Sequence, residues 1–127
     1  MEFGINHRIV LAAAFLPLGF TAVAKIIGLR SFDNREPREF QAHLTGTALR
    51  AHWAHLNSFE AFPPFAAGVL IAQQVGAPQG RIDLLALAFV ALRIVYGLCY
   101  IADQATLRSI VWAAAMACTV ALFCIGL

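Results

Sequence analysis

The sequence predicts an all-α integral membrane protein, a four-helix up-down bundle that forms a single domain over residues 1–127. The chain is 61% apolar and 13% charged, and its mean hydropathy is +0.75. Soluble domains are about 45–50% apolar and about 25% charged. A domain of this size cannot bury so much apolar surface in water. We therefore expect the lipid bilayer to be its solvent.

Four apolar segments predict the four helices. A membrane-spanning helix needs about 20 mainly apolar residues. The segments that reach this length are about 5–29, 45–75, 82–102 and 107–127. The second is the most polar of the four, yet it carries no charge between Ala61 and Gly80.

The connections between the segments predict their order in space. Two connections are short, so the chain must reverse its direction there: Gly76–Gly80 and Asp103–Thr106. Short connections place successive helices antiparallel. The first connection, Arg30–Gln41, is longer, polar and interrupted by Pro37.

The distribution of basic residues predicts the orientation, because cytoplasmic loops carry an excess of Lys and Arg. Five basic residues belong to the side of the first and third connections: Lys25, Arg30, Arg35, Arg38 and Arg108. Arg8 and Arg81 belong to the other side. The long first loop is thus predicted to be cytoplasmic, and both termini to be outside.

Polar residues recur along one face of the second segment. His43, Arg50, Asn57 and Pro64 are each seven residues apart, and Glu60 follows Asn57 by three. At about 100° per residue this spacing keeps them on nearly one side of a helix. An ionised side chain in the membrane costs roughly 2.5 kcal/mol or more. We therefore expect this face to be turned away from lipid.

A second polar stripe lies on the third segment, where Arg93, Tyr96, Tyr100 and Gln104 are spaced three, four and four. The simplest arrangement turns it toward the stripe of the second segment, in the same subunit or in a neighbour. Two interpretations remain open. The stripes could form a structural network, with Glu60 paired to an arginine. They could instead line a pocket for an anionic ligand, since arginines bind carboxylates bidentately.

Other classes of site are not predicted. His52 and His55 diverge on the helical wheel, so no metal site is expected. Cys99, Cys118 and Cys124 have neither metal-ligand nor redox spacing. No basic run interleaved with aromatic residues is present, so nucleic acid is not an expected partner.

Three stretches carry a resemblance to a known family. These are Arg50–Phe65, Arg93–Tyr100 and Leu107–Trp112. They resemble motifs of the MAPEG family, the membrane-associated proteins of eicosanoid and glutathione metabolism. The chain looks most like a bacterial-type member, which implies a location in the bacterial inner membrane.

The resemblance implies a homotrimer that binds glutathione between subunits near the cytoplasmic side. It implies that Asn57, Glu60, Tyr96 and Tyr100 hold glutathione, with Arg93 supporting or binding. Arg108 would activate the thiol, since a neighbouring cation lowers a thiol pKa. Arg50 lies on nearly the same face as an arginine that family enzymes place four residues before the Asn, and it is the candidate to replace it.

Three functional hypotheses follow. The sequence favours the first, an enzyme, but leaves catalytic activity undecided. The first is a membrane glutathione-dependent transferase or peroxidase that acts on lipophilic substrates, with glutathione as co-substrate and no metal. Its expected partners are further copies of the chain, lipids and lipophilic small molecules. The alternative is a non-catalytic membrane binding or scaffold protein, which is favoured by Trp53 and Ala61 where family enzymes have Arg and Tyr. The third is a small proton-coupled transporter that uses Glu60.

Overall fold

Five helices make up the computed structural model, which describes residues 5–28 and 32–127. Their bounds are α1 Ile5–Ile27, α2 Pro37–Ala42, α3 Gly46–Gln74, α4 Gln79–Ile101 and α5 Ala105–Cys124. No strand occurs in these two described ranges. The all-α prediction is confirmed, and the four predicted segments correspond to α1, α3, α4 and α5.

The predicted number of helices is too low by one, because the first connection contains the short helix α2. Pro37 stands in its first turn, where a missing backbone N–H costs nothing. Phe40 is buried and its ring meets that of Phe32 edge-on, with centroids 5.1 Å apart. The apolar contacts of Phe40 thus favour a helix in a segment whose charged residues indicated a loop. Arg30, which was counted for the orientation, lies outside the described residues.

Three of the long helices are apolar enough to cross a membrane: His7–Ile27 in α1, Gln79–Ile101 and Ala105–Cys124. The helix α3 does not qualify by composition, because its first half carries the polar stripe. Its 29 residues nevertheless give it a length of about 44 Å. It is therefore long enough to span a bilayer beside the other three.

Neighbouring long helices run antiparallel. Near the start of α3, Arg50 contacts Ile101 at the end of α4. Further along, the rings of Phe65 and Phe89 are stacked with centroids 3.9 Å apart. His55 of α3 reaches Pro17 of α1. These pairings give the predicted up-down order, with α3 and α4 at the centre.

The core has two parts along this bundle. The larger joins α1, α3, α4 and α5 and is built around Phe65, Val69, Ile82, Phe89 and Leu122. The smaller lies where α2 meets the bundle and consists of Ala24, Phe40, Leu44, Ala48 and Ala51. Small residues in the second part let α1 and α3 approach closely, as is common where membrane helices pack.

Large apolar side chains also cover much of the outside. On α4 they form a helical stripe: Leu84, Leu87, Ile94 and Leu98. Comparable side chains are exposed on α1 and α5, among them Leu11, Phe15, Ile110 and Val120. A soluble monomer rarely exposes so continuous an apolar surface. This surface suits contact with lipid or with further subunits.

Gly97 allows α1 to pack against α4. A Cβ atom at this position would overlap Cζ of Phe20, which is itself buried. We expect Gly97→Ala to lower the free energy of unfolding by about 1–3 kcal/mol, because the ring must move within a filled core. The midpoint of denaturation by SDS in mixed micelles measures the loss.

Gly19→Ala is the matched control. A Cβ atom there would meet nothing within 4 Å, and Gly19 is also helical. Alanine favours helix by about 0.8–1.0 kcal/mol relative to glycine, so this variant should be neutral or slightly stabilised. Equal midpoints for the two variants would contradict the close packing at Gly97.

Candidate functional site

A buried guanidinium joins the two central helices. Arg93 of α4 is 2% exposed. Its Nη2 donates to Oδ1 of Asn57 at 2.8 Å and to Oγ of Ser58 at 3.3 Å. The Cζ atom lies 4.1 Å from the centroid of the Tyr96 ring. The two polar stripes therefore face each other within one chain, as the spacing predicted.

The hydrogen-bond acceptors around Arg93 are uncharged, and its Nε–H group has no acceptor in the described chain. Nε is buried without a hydrogen-bond partner among the described residues. A buried charge needs compensation, and here an amide, a hydroxyl and an aromatic face supply it. This arrangement orients Asn57 by fixing its carbonyl oxygen toward α4, which leaves the amide NH₂ of Asn57 for other partners.

Tyr100 is held by three helices. Its ring packs edge-on against that of Tyr96, with centroids 5.6 Å apart. Trp53 of α3 lies 6.1 Å from it. On the other side, Cζ of Arg108 from the first turn of α5 is 4.4 Å from the ring centroid. The phenol is thus placed where α3, α4 and α5 meet.

An open cleft of about 340 Å³ lies in front of these residues. Its walls are Trp53, Leu56, Asn57, Glu60 and Tyr100. A smaller cavity of about 120 Å³ adjoins it and is lined by Asn57, Glu60, Ala61, Trp112 and Met116. Asn57 and Glu60 belong to both. Since Trp53, Leu56 and Glu60 are exposed, the cleft opens on the lateral surface of the bundle.

Glu60 brings an uncompensated negative charge to this cleft. It makes no hydrogen bond or salt bridge with the described part of the chain, so the pairing with Arg93 or Arg50 considered from the sequence is not formed. Pro63 and Pro64 follow inside α3. Because proline has no N–H, the carbonyl groups four residues earlier, those of Phe59 and Glu60, lose their helical donors. Hydrogen-bond acceptors are therefore concentrated at this point of the helix.

The structure separates the residues that were expected to bind glutathione. Asn57, Glu60 and Tyr100 line the cleft. Arg93 and Tyr96 are buried behind it and support those that line it. Arg108 contacts Tyr100 from α5.

Arg50 lies away from the cleft and completes the end of α4. Its Nε and Nη2 both lie 3.3 Å from the carbonyl oxygen of Ile101, and Nη2 also donates to Thr47 at 3.1 Å. The last carbonyl groups of a helix have no partner within it, and a basic side chain commonly satisfies them.

The second polar stripe is shorter than predicted. The helix α4 ends at Ile101, and Asp103 in the following turn has φ of 60°. Gln104 therefore belongs to the turn and not to the helix face, and it is exposed. The predicted segment, about 82–102, already ended before Gln104, and only the spacing of four from Tyr100 had placed Gln104 on the stripe.

His52 and His55 point away from the cleft, as the helical wheel predicted. Nδ1 of His55 lies 2.7 Å from the carbonyl oxygen of Pro17, so this nitrogen carries the proton. The ring of His52 stacks on that of His55 at 5.9 Å. Within residues 5–28 and 32–127, no group of three or more His, Cys, Asp or Glu is arranged to hold a metal ion.

Four residues of the site were missed from the sequence: Leu56, Ser58, Trp112 and Met116. Ser58 accepts a hydrogen bond from Arg93. Its position beside Asn57 in the sequence was a weak signal for this role. Trp112 and Met116 of α5 line the smaller cavity, and their spacing of four places them on one helix face. Arg108, four residues before Trp112, lies on the same face of α5 and is the polar signal that could have marked it.

Comparison with known families adds one finding to this geometry. A sequence profile of the MAPEG family matches residues 8–127. The chain belongs to the MAPEG family. No curated protein and no solved structure gave a match.

The match covers every residue of the cleft, together with Arg93, Tyr96 and Arg108. MAPEG membership and the three apolar helices fit an integral membrane protein. MAPEG membership also points to a glutathione-related transferase or peroxidase function, or a related one, in the membrane.

The contacts of Arg93 predict that a lysine cannot replace it. Lysine is a point charge on a flexible stem and cannot reproduce the planar fork or its stacking on Tyr96. We expect Arg93→Lys to lower the free energy of unfolding by about 1–3 kcal/mol, measured as the midpoint of denaturation by SDS. Arg81→Lys, at an exposed position in α4, is the control and should change little. A loss of the same size at both positions would contradict the assigned contacts.

Proposed function

We propose that this MAPEG protein is a glutathione-dependent transferase or peroxidase that acts on lipophilic electrophiles or lipid hydroperoxides in the membrane. The observation that carries the proposal is the lateral cleft in which Asn57, Glu60 and Tyr100 converge. Glutathione has an ammonium group, two carboxylates, peptide groups and a thiol. The cleft offers a carboxylate, an amide and a phenol, with one cation beside the phenol.

Glu60 suits the ammonium group of glutathione. Its carboxylate is exposed in the cleft and has no partner in the described chain. A charge-assisted hydrogen bond is about twice as strong as a neutral one. The amide NH₂ of Asn57, left free by the contact between its carbonyl oxygen and Arg93, is placed to donate to a peptide carbonyl or a carboxylate.

Tyr100 and Arg108 suit the thiol. A hydroxyl donor and a nearby guanidinium both favour the thiolate over the thiol. In the transferase reaction the thiolate forms a thioether at the electrophilic carbon, a leaving group such as chloride departs with its electron pair, and the thiol proton passes to solvent. In the peroxidase reaction two glutathione molecules are oxidised to the disulfide, while the hydroperoxide is reduced to an alcohol and water.

A single chain supplies few cations for two carboxylates, since Arg93 is buried and Arg50 is bound to the end of α4. This shortage supports the proposal that the working unit is a homotrimer in which a neighbouring copy closes the cleft. The exposed apolar side chains beside it, Trp53, Leu56 and Phe59, would then contact that copy or the acyl part of a substrate.

The predicted orientation is compatible with this chemistry. If the first loop is cytoplasmic, Tyr100 and Arg108 lie at the cytoplasmic end of the bundle, where a soluble peptide can enter from water. We propose on the same basis, and on the resemblance to bacterial-type members, that the protein resides in the bacterial inner membrane. The lipophilic substrate would enter sideways from the bilayer.

The proposal is tested with the purified protein in a neutral detergent. Calorimetry should detect glutathione binding, and a chlorodinitrobenzene should be conjugated with release of one chloride per turnover. If the oligomeric protein neither binds glutathione nor turns over this electrophile or a lipid hydroperoxide, the proposal is wrong.

The charge of Glu60 should matter for affinity. Glu60→Gln keeps the size of the side chain but removes the charge that faces the ammonium group. Loss of a charged hydrogen bond costs about 1.5–3 kcal/mol, so we expect glutathione to bind roughly ten-fold more weakly or worse. Glu36→Gln, an exposed carboxylate in the first loop, is the matched control and should bind glutathione like the unsubstituted protein. Unchanged binding by Glu60→Gln would remove Glu60 from the site.

The cation beside Tyr100 should set the pH dependence. Removing a neighbouring positive charge raises the pKa of the bound thiol toward its free value of about 8.5. In Arg108→Gln the rate at neutral pH should fall, and the rise of kcat with pH should move to higher pH. Arg108→Lys should restore part of the shift. Profiles of kcat that superimpose for Arg108→Gln and the unsubstituted protein would contradict thiol activation by Arg108.

Two observations favour a second candidate, a non-catalytic membrane binding protein. Trp53 lines the cleft where family enzymes place an arginine, and Arg50 does not fill that role. This candidate predicts that an apolar ligand such as a long-chain alcohol raises the midpoint of denaturation by SDS, whereas glutathione does not. Stabilisation by glutathione would decide against it.

A further inference from the structure

A second concave surface lies at the opposite end of the bundle. It is a groove of about 500 Å³ between α1 and α3, lined by His7, Arg8, Val10, Leu11, Ala14, Val69 and Leu70. Ligand pockets have volumes of about 300–1,000 Å³. Apolar side chains form most of this wall, and no residue of the cleft belongs to it.

The groove has one charged end. Arg8 is exposed and makes no hydrogen bond or salt bridge with the part of the chain that the structure describes. It lies on α1 among the residues that line the groove, and its guanidinium favours an anionic group there.

The order of polar and apolar residues along the groove matches that of a lipid molecule. Arg8 lies near Ile5, the first described residue of α1, and Ala14 lies about 9 Å further along the helix axis. Val69, which is almost fully buried, forms the floor on the α3 side, while Leu11 and Leu70 are exposed at the rims. A headgroup at Arg8 would leave an acyl chain beside apolar atoms throughout.

The groove is remote from the proposed glutathione site. Leu70 is ten residues after Glu60 on α3, a distance of about 15 Å along the axis. The groove is thus separated from the cleft along the bundle, and a ligand in it does not occupy the cleft.

We propose that this groove binds an anionic phospholipid, with its phosphate at Arg8 and one acyl chain between α1 and α3. The charge of Arg8 and the apolar wall beside it together fit this ligand. A zwitterionic phospholipid would fill the groove equally well, but its headgroup would bring no net charge to Arg8.

The test uses the full chain, freed of lipid in a neutral detergent. Phosphatidylglycerol and phosphatidylcholine with identical acyl chains are titrated separately, and native mass spectrometry counts the lipid bound per chain. A basic residue near an anionic headgroup contributes about 1 kcal/mol, so phosphatidylglycerol should bind roughly five-fold more tightly. Arg8→Gln should abolish this preference without affecting phosphatidylcholine.

Two further variants separate the site from its surroundings. Arg81→Gln removes an exposed charge at the same end of the bundle but outside the groove, and it should keep the preference. Ala14→Phe fills the groove and should weaken both lipids. Glutathione binding should be unchanged in Arg8→Gln, so the lipid preference is tested independently of the proposed enzyme activity.

Several outcomes would overturn the proposal. Equal affinity of the unsubstituted protein for the two lipids would show that Arg8 does not recognise the headgroup. An equal loss in Arg8→Gln and Arg81→Gln would indicate general surface charge. Retention of no lipid, together with a change of oligomeric mass in Ala14→Phe, would show that a second copy of the chain occupies the groove.

Discussion

The buried guanidinium of Arg93 is the contact on which the site depends. In a membrane protein such a charge cannot turn to water, so its acceptors must come from the neighbouring helix. Asn57 and Ser58 supply them from consecutive positions of α3. Because two acceptors and one flat cation must match, α3 cannot slide or rotate freely against α4. The register fixed in this way brings Glu60 of α3 and Tyr100 of α4 to the same cleft.

The cleft combines a rigid wall with an open one. On the rigid side, the rings of Tyr96 and Tyr100 pack edge-on against each other and lie in sequence between Arg93 and Arg108. On the open side, Trp53 and Glu60 are exposed. A polar ligand and a lipophilic one can therefore meet here, the first along the phenol and carboxylate, the second from the surrounding apolar surface. This combination is what glutathione chemistry on membrane-soluble compounds requires.

Hydropathy was sufficient to place α1, α4 and α5, and α3 was placed by the length of its segment, which exceeds what a bilayer demands. Spacing by seven and by three or four also predicted that Asn57 would face Arg93. Residue spacing failed where a side chain binds a backbone group. Arg50 donates to the carbonyl oxygen of Ile101, and no pattern in the sequence indicates such a partner. It also missed α2 and Met116. Phe40 folds α2 through tertiary contacts with Ala24 and Phe32, and Met116 is an apolar residue that nothing distinguishes from the others of α5.

The adjacent prolines of α3 have a mechanical consequence. Two successive missing donors at Pro63 and Pro64 mean that bending at this level breaks fewer hydrogen bonds than bending elsewhere along the helix. Immediately beyond them, Phe65 is clamped by stacking on Phe89. The other side is anchored as well, because Arg93 holds Asn57 and Ser58. Any flexing of α3 is therefore confined to the short stretch between these contacts, the one that carries Glu60.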